Sequence, residues 1–314
     1  MDWDKFVHLT VDGLTTGSVY ALIALGFSIV YGILKLLNFA HGDVFMVGAF
    51  IGYFVLTGFG GPAAPEMPLP LLMILMFLLA MLGCGALGVV IERFAYRPLR
   101  DAPRIAPLIS ALGVSFFIQN SALLLFGGTI RSYDSFELDN GVYAFPQYGI
   151  HWGPLQLSIL RILTIALAVV LCIALTLLIA RTQLGKAMRA TAYDREAAAM
   201  MGINVDRVIA SAFFVGSALA GAAGVMIGLV FNNIFHFMGF ENGLKAFTAS
   251  VVGGIGSIPG AMLGGLVVGL GEAYATGYLP QGSTFQDFWV FSLLIVVLLV
   301  RPTGLLGKAD IRKV

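Results

Sequence analysis

Charge is what this sequence has least of. Of its 314 residues only 11% are Asp, Glu, Lys or Arg, against about 25% in ordinary soluble domains, and that shortage argues against a soluble globular fold. No polar stretch is long enough to form a water-soluble domain beside the apolar one. The chain therefore reads as one transmembrane unit, 1–314, rather than the two domains its length would otherwise suggest. The 18 Lys and Arg nearly balance the 17 Asp and Glu, so the basic excess expected of a nucleic-acid binder is missing. Only two cysteines occur, Cys84 and Cys172, each inside an apolar segment where a free thiol behaves as a small hydrophobe. The four histidines, His8, His41, His151 and His236, are scattered and give no metal-ligand spacing. No nucleophile-base arrangement emerges, and no phosphate-cradling loop: Gly304-Leu-Leu-Gly307-Lys308-Ala309 fails that pattern. Nothing here supports an enzyme or a bound cofactor. Acids at Asp2 and Asp4 stand where a cleavable signal would be basic, so the first apolar segment is expected to remain as an anchor.

What the sequence has instead is apolar length. Runs occur at 12–34, 43–58, 69–91, 106–126, 157–180, 208–231, 260–279 and 287–301, with a shorter Gly-rich one at 246–258. A hydrocarbon core of ~30 Å takes about 20 helical residues, so most of these span it and the runs at 43–58, 246–258 and 287–301 predict broken or tilted helices. The fold class is an all-α polytopic membrane protein with eight or nine transmembrane helices. Arg93, Arg97, Arg100 and Arg104 fill one loop, Arg181 to Arg207 another, and Arg301, Lys308, Arg312 and Lys313 the C-terminal end, which places all three on the cytoplasmic side. Parity between the 181–207 loop and the basic end holds only if the run at 246–258 also crosses, giving nine crossings and an N-terminus outside. The extracytoplasmic loop 127–156 reads as a small β-hairpin turning at Asp139-Asn140-Gly141, or else as an irregular aromatic loop at the interface.

Several constellations are candidates for function. Asn38-Phe39-Ala40-His41-Gly42-Asp43 puts an amide, an imidazole and a carboxylate between two apolar runs. Polar groups at membrane depth are costly unless paired or facing a pathway, so Asn38, His41 and Asp43 either line a translocation path or form an ordinary turn in which Asn38 or Asp43 caps the next helix. The second break, Gly253-Gly254-Ile255-Gly256-Ser257-Ile258-Pro259-Gly260, serves close packing or substrate passage, with Pro259 starting the following helix. The small-residue stripes Gly224-xxx-Gly228, Gly260-xxx-Gly264 and Gly265-xxx-Gly269 read as tight helix contacts. Glu272 sits mid-span and Arg161 near an outer helix start, where each lines a path, joins a buried ion pair or snorkels.

In the cytoplasmic loop 181–207, Thr191 and Asp194 form a capping-box pattern and Gly202-Ile203 suits a left-handed C-terminal cap. The expectation is a separate helix of about ten residues, with Ala197, Ala198 and Met201 forming a small-residue face for another protein's groove.

Glu196-Ala197-Ala198 followed by Gly202 resembles the Glu-Ala-Ala loop of ATP-binding-cassette import permeases, although the downstream Ile-x-Leu-Pro of its fullest form is absent. Together with the 38–43 string, Gly253 to Gly265, and Arg301-Pro302-Thr303-Gly304-Leu305-Leu306-Gly307, the chain is similar to the branched-chain amino acid permease family, in its Liv H-type membrane subunit, from about Gly13 to Lys308. The resemblance implies an importer in the bacterial plasma membrane made of two permeases, two ATPases that carry ATP and Mg, and an extracytoplasmic solute-binding protein. It implies that Glu196, Ala197, Ala198 and Gly202 form the coupling helix. Related permeases for urea, short amides or aromatic acids keep other substrates open, and an ion-coupled transporter working through Asp43 or Glu272 is the competing class.

Overall fold

The computed structural model describes residues 3–59, 67–100, 102–103, 105–133, 149–152, 155–279, 281–282 and 284–307. It contains eleven α-helices among them: α1 Trp3–Leu34, α2 His41–Phe59, α3 Leu69–Ile91, α4 Ile105–Phe126, α5 Ile159–Arg181, α6 Gln183–Tyr193, α7 Arg195–Met200, α8 Val205–Phe231, α9 Met238–Gly253, α10 Ile258–Tyr278 and α11 Gln286–Val300. Seven are long and apolar enough to cross a membrane, and α11, at 15 residues, is a shorter apolar helix.

A helix that is apolar all round must be enclosed on all sides. That holds for α1, whose stretch from Val19 to Leu25 is buried without interruption, and for α8, buried continuously from Gly216 to Leu229. These two form the centre: α1 packs along α10 and α8, and α8 packs against α3 and α2. Close packing uses the glycine stripes. A Cβ on Gly17 of α1 would lie 2.9 Å from the Gly265 carbonyl of α10, and one on Gly48 of α2 would lie 2.6 Å from Gly221 Cα of α8. Around this centre α4, α5 and α11 turn large side chains outward, among them Phe117, Leu124, Val170, Ile173, Leu299 and Val300, the composition of a lipid-facing surface.

Helix ends define two faces. On the basic face, Arg97 and Arg100 after α3 pair with Asp206 in the first turn of α8, and Arg195 donates to the Ile33 carbonyl at the end of α1, 2.9 Å away. On the opposite face, Arg161 at the start of α5 pairs with Asp12 of α1, and Arg131 and Ile234 form an isolated backbone bridge. Thus α1 runs from the face opposite the basic loops toward them, the sense expected from charge. The short run at 246–258 belongs to α9, which begins eight residues earlier at Met238. Ile234 lies at one face and Val252 binds the segment after α11 near the other, so α9 runs between the two faces, although its 16 residues are not among the seven helices long and apolar enough to cross a membrane.

The expected hairpin turn at 139–141 lies outside the described residues; a hairpin that is described joins β1 Gly149–Trp152 to β2 Leu155–Ser158, antiparallel. One local expectation needs correction. The detached helix is six residues long rather than ten, because α6 already takes in Thr191 and ends at Tyr193. Asp194 alone is the N-cap, its Oδ1 accepting from the Glu196 and Ala197 amides at 3.0 Å, while Thr191 is buried within α6.

Candidate translocation path and coupling surface

The first break is held at membrane depth. Lys35 adopts φ +55° and ends α1, after which the chain folds back so that His41, the first residue of α2, rests against Gly26. Gly26 precedes the end of α1 by eight residues, so α2 begins about 12 Å inside that end. The polar residues there are enclosed: Asn38 is 3%, His41 1% and Asp43 0% exposed. Their recorded side-chain bonds are tertiary rather than helix caps. The Tyr96 hydroxyl sits 3.1 Å from both Asn38 Oδ1 and the Leu37 carbonyl, and Gln119 Nε2 of α4 donates to Asp43 Oδ1 at 3.0 Å. His41 stacks edge-on against Phe27 at 4.8 Å, and its Nε2 has no hydrogen-bond partner among the described residues.

Beside this break lies an aromatic slot lined by Phe27, Phe39, Phe240, Leu244 and Phe247, floored by Gly239 and Gly243 of α9. Phe247 is 6.0 Å from Phe27 and 6.1 Å from Phe39, ring centre to ring centre. A Cβ on Gly42 would fall 2.9 Å from Gly243 Cα, so the start of α2 and the upper part of α9 touch backbone to backbone. The slot escapes sequence inspection because its phenylalanines come from three separate segments. Gln119 and Tyr96 escape it for the same reason, although a glutamine inside an apolar run is a signal of a buried polar partner.

The second break sits elsewhere. From Gly243 to Gly253 α9 descends about 15 Å, passing the buried hydroxyl pair Ser28–Ser250 at 2.9 Å. The turn that follows uses φ +111° at Gly254 and φ +85° at Gly256, a left-handed backbone that glycine adopts without strain. Ser257 caps α10 by accepting from the Gly260 amide at 3.3 Å, and Pro259 occupies the first turn. The segment after α11 lies on this turn: Leu305 N donates to the Val252 carbonyl at 2.8 Å and Leu306 N to that of Gly253 at 2.9 Å. Gly253, Gly254, Gly256, Ser257 and Pro259 are therefore gathered at the basic face and are not joined to Asn38, His41 and Asp43.

Glu272 of α10 is 3% exposed and belongs to an ionic cluster that sequence reading did not find. Lys245 Nζ of α9 lies 2.9 Å from Glu272 Oε1 and 2.8 Å from Asp287 Oδ1 of α11, and Gln286 also donates to Glu272. Of the alternatives the sequence left open for Glu272, the buried ion pair is the arrangement present.

At the basic face α7 is closed at both ends. Gly202, at φ +82°, donates to the Ala199 carbonyl at 3.0 Å and Ile203 to that of Ala198 at 3.1 Å, a Schellman cap. Ala198 is 4% exposed and faces the protein body, which corrects the expected Ala197–Ala198–Met201 docking face. The outward surface comprises Glu196, Ala199, Met200 and Met201, with Tyr193 just before it. Arg195, between the two, is shifted down from its ordinary pKa by burial and then by the nearby Arg100 guanidinium. Among the described residues no group of three metal-ligating side chains occurs.

The family profile described as branched-chain amino acid transport system, permease component, matches residues 9–300. The chain is 42% identical, over 98% of both proteins, to the high-affinity branched-chain amino acid transport system permease protein BraD of Pseudomonas aeruginosa. It is 41% identical, again over 98% of both, to the corresponding permease protein LivH of Escherichia coli. A probable branched-chain amino acid transport permease protein LivH of Methanocaldococcus jannaschii is 29% identical over 92% of this chain and 89% of its own. No solved structure matches.

Proposed function

The chain belongs to the branched-chain amino acid transport system permease family, and from that premise we propose that it forms half of the path by which a branched-chain amino acid enters the cell. The other half comes from a second, homologous permease. Two ATP-binding-cassette ATPases bind and hydrolyse ATP with Mg, and an extracytoplasmic solute-binding protein delivers the substrate. The chain itself catalyses no covalent step. It is a multi-pass protein of the bacterial plasma membrane, with the basic face and C-terminus in the cytoplasm.

The observation that carries this reading is α7, a short helix capped at both ends and set outside the membrane with Glu196, Met200 and Met201 outward. Methionine suits such a contact because its flexible, polarisable side chain adapts to a partner surface. Glu196, Ala197, Ala198 and Gly202 build this coupling helix, Ala198 anchoring it and Glu196 meeting the ATPase. Movement of the ATPases on ATP binding shifts α7 and alternates access across the membrane.

Substrate contact falls to the break at 38–43. Asn38 offers a neutral polar contact for a zwitterion, and the phenylalanine slot, a narrow cleft of about 10 Å³ in this conformation, offers apolar area to a branched aliphatic side chain once the α1–α9 seam opens. His41 and Asp43 hold the break in place through Phe27 and Gln119. The turn at Gly253, Gly254, Gly256, Ser257 and Pro259 forms the inner end of the same α1–α9 seam, where Gly32 approaches Gly256, and serves as gate rather than binding site. Pairing of Glu272 with Lys245 supports a structural role for it over ion coupling.

Proteoliposomes holding this chain, the second permease and the ATPases test the reading. Uphill leucine uptake is expected only with the binding protein outside and ATP inside. Uptake driven by a proton or sodium gradient with no ATPase present would overturn it.

A further inference from the structure

At the cytoplasmic face a pocket of about 390 Å³ opens between the end of α1, the loop after α3 and the α6–α7 junction, within the ~300–1,000 Å³ of small-molecule sites. We propose that it binds a free α-amino acid with an aliphatic side chain, the cytoplasmic form of the transported solute. The inference rests on the importer reading for the side-chain class alone; the zwitterion is read from the pocket.

Among the described residues, charge in the pocket comes from Lys35, Arg100, Arg195 and Asp194. Both terminal nitrogens of Arg100 are engaged by Glu92 and Asp206, which leaves its charge compensated. What remains among the described residues is the Lys35 ammonium and the Arg195 guanidinium, one of whose nitrogens binds the Ile33 carbonyl, set against the Asp194 carboxylate. Asp194 spends Oδ1 on capping α7 and keeps Oδ2 without a hydrogen bond among the described residues. Two cations beside one anion match a carboxylate and an ammonium on the same carbon. A phosphate, nearly twice negative, would meet repulsion from Asp194.

The rest of the lining fits an amino acid as well. Leu34, Leu36 and Pro107 give the pocket an apolar wall next to its charged one. Thr191 belongs to the lining, with its hydroxyl enclosed beneath the pocket wall and without a partner among the described residues. Since Asp194 and Arg195 open the coupling helix, an amino acid held here ties that helix to the end of α1 and slows import as the solute accumulates.

The complete complex in lipid nanodiscs, without binding protein, is dialysed against labelled leucine, with Lys35→Gln as the comparison. Lys35 is exposed and pairs with no acid among the described residues, so its loss leaves the fold intact. Saturable binding is expected, about tenfold weaker in Lys35→Gln, with inorganic phosphate failing to compete. In proteoliposomes, leucine preloaded in the lumen is expected to slow ATP-driven uptake by the wild type and not by the variant. Absence of saturable binding, equal binding by the two proteins, or displacement of leucine by phosphate each overturns the proposal. If such a preparation still imports leucine, the importer reading stands alone; if it imports no branched-chain amino acid under any condition, both fall.

Discussion

Lys245 of α9 and Glu272 of α10 are joined at 2.9 Å inside the helix bundle, with side chains only 12% and 4% exposed, and the same lysine reaches Asp287 of α11 at 2.8 Å. One cation thus fastens three consecutive helices. Lys245→Met leaves Glu272 buried and uncompensated, for which a loss of about 3–5 kcal/mol is expected. Thermal unfolding in detergent measures it. Lys245→Met combined with Glu272→Met should recover most of the loss, and Asp287→Asn, at a residue 67% exposed, should cost under about 1 kcal/mol.

The seating of α2 depends on Gly26. A Cβ there would collide with His41 Nε2 and lie 2.9 Å from the Gly216 carbonyl of α8. Gly26→Ala is therefore expected to destabilise by about 1–3 kcal/mol and to lower leucine uptake by displacing the break. Gly58→Ala, on the same helix as His41 but with nothing within 4 Å, should leave stability equal or higher by up to ~1 kcal/mol. Similar melting curves for the two variants would contradict this packing.

Gly304 has φ +75°, and a Cβ on it would lie 2.5 Å from both the Gly254 amide and the Val251 carbonyl. Gly304→Val is expected to lift the C-terminal segment off the α9–α10 turn. A left-handed β-branched residue costs roughly 1–2 kcal/mol before the clash is counted. Limited proteolysis should then cleave near Leu305 in the variant under conditions that spare the wild type.

Glu196 and Ala198 should separate docking from folding. Glu196→Lys, at an exposed position, is expected to leave stability within about 0.5 kcal/mol while abolishing copurification of the ATPases. Ala198→Asp, at a residue 4% exposed, should destabilise the loop itself. Retention of the ATPases and of ATP-dependent uptake by Glu196→Lys would count against the coupling assignment.

Some features follow from the sequence because their physics is local or additive. The shortage of charge and the apolar runs fixed a membrane fold, since a span is decided by length and hydropathy before anything packs. Clustered arginines pointed to one shared face, and the parity of the basic loops called for α9, at only 16 residues, to run between the faces. The cap at Gly202 was legible because a positive-φ glycine followed by an apolar residue is a local signature. Residues Asn38, His41 and Asp43 were legible as costly groups at membrane depth.

Other features were decided only by the tertiary structure, for a common reason: they depend on which distant segments meet. Thr191 carried the signature of a cap, yet α6 ran through it, because burial of its amphipathic face against the bundle outweighed one local hydrogen bond. Ala198 turned inward once α7 had a body to pack on. Lys245 and Glu272, 27 residues apart, became one ion pair because two helices cross there, and Phe27, Phe39 and Phe247 became one slot because the chain reverses after Lys35. A sequence determines which groups must find partners in the membrane; only the packing determines which partner each one finds.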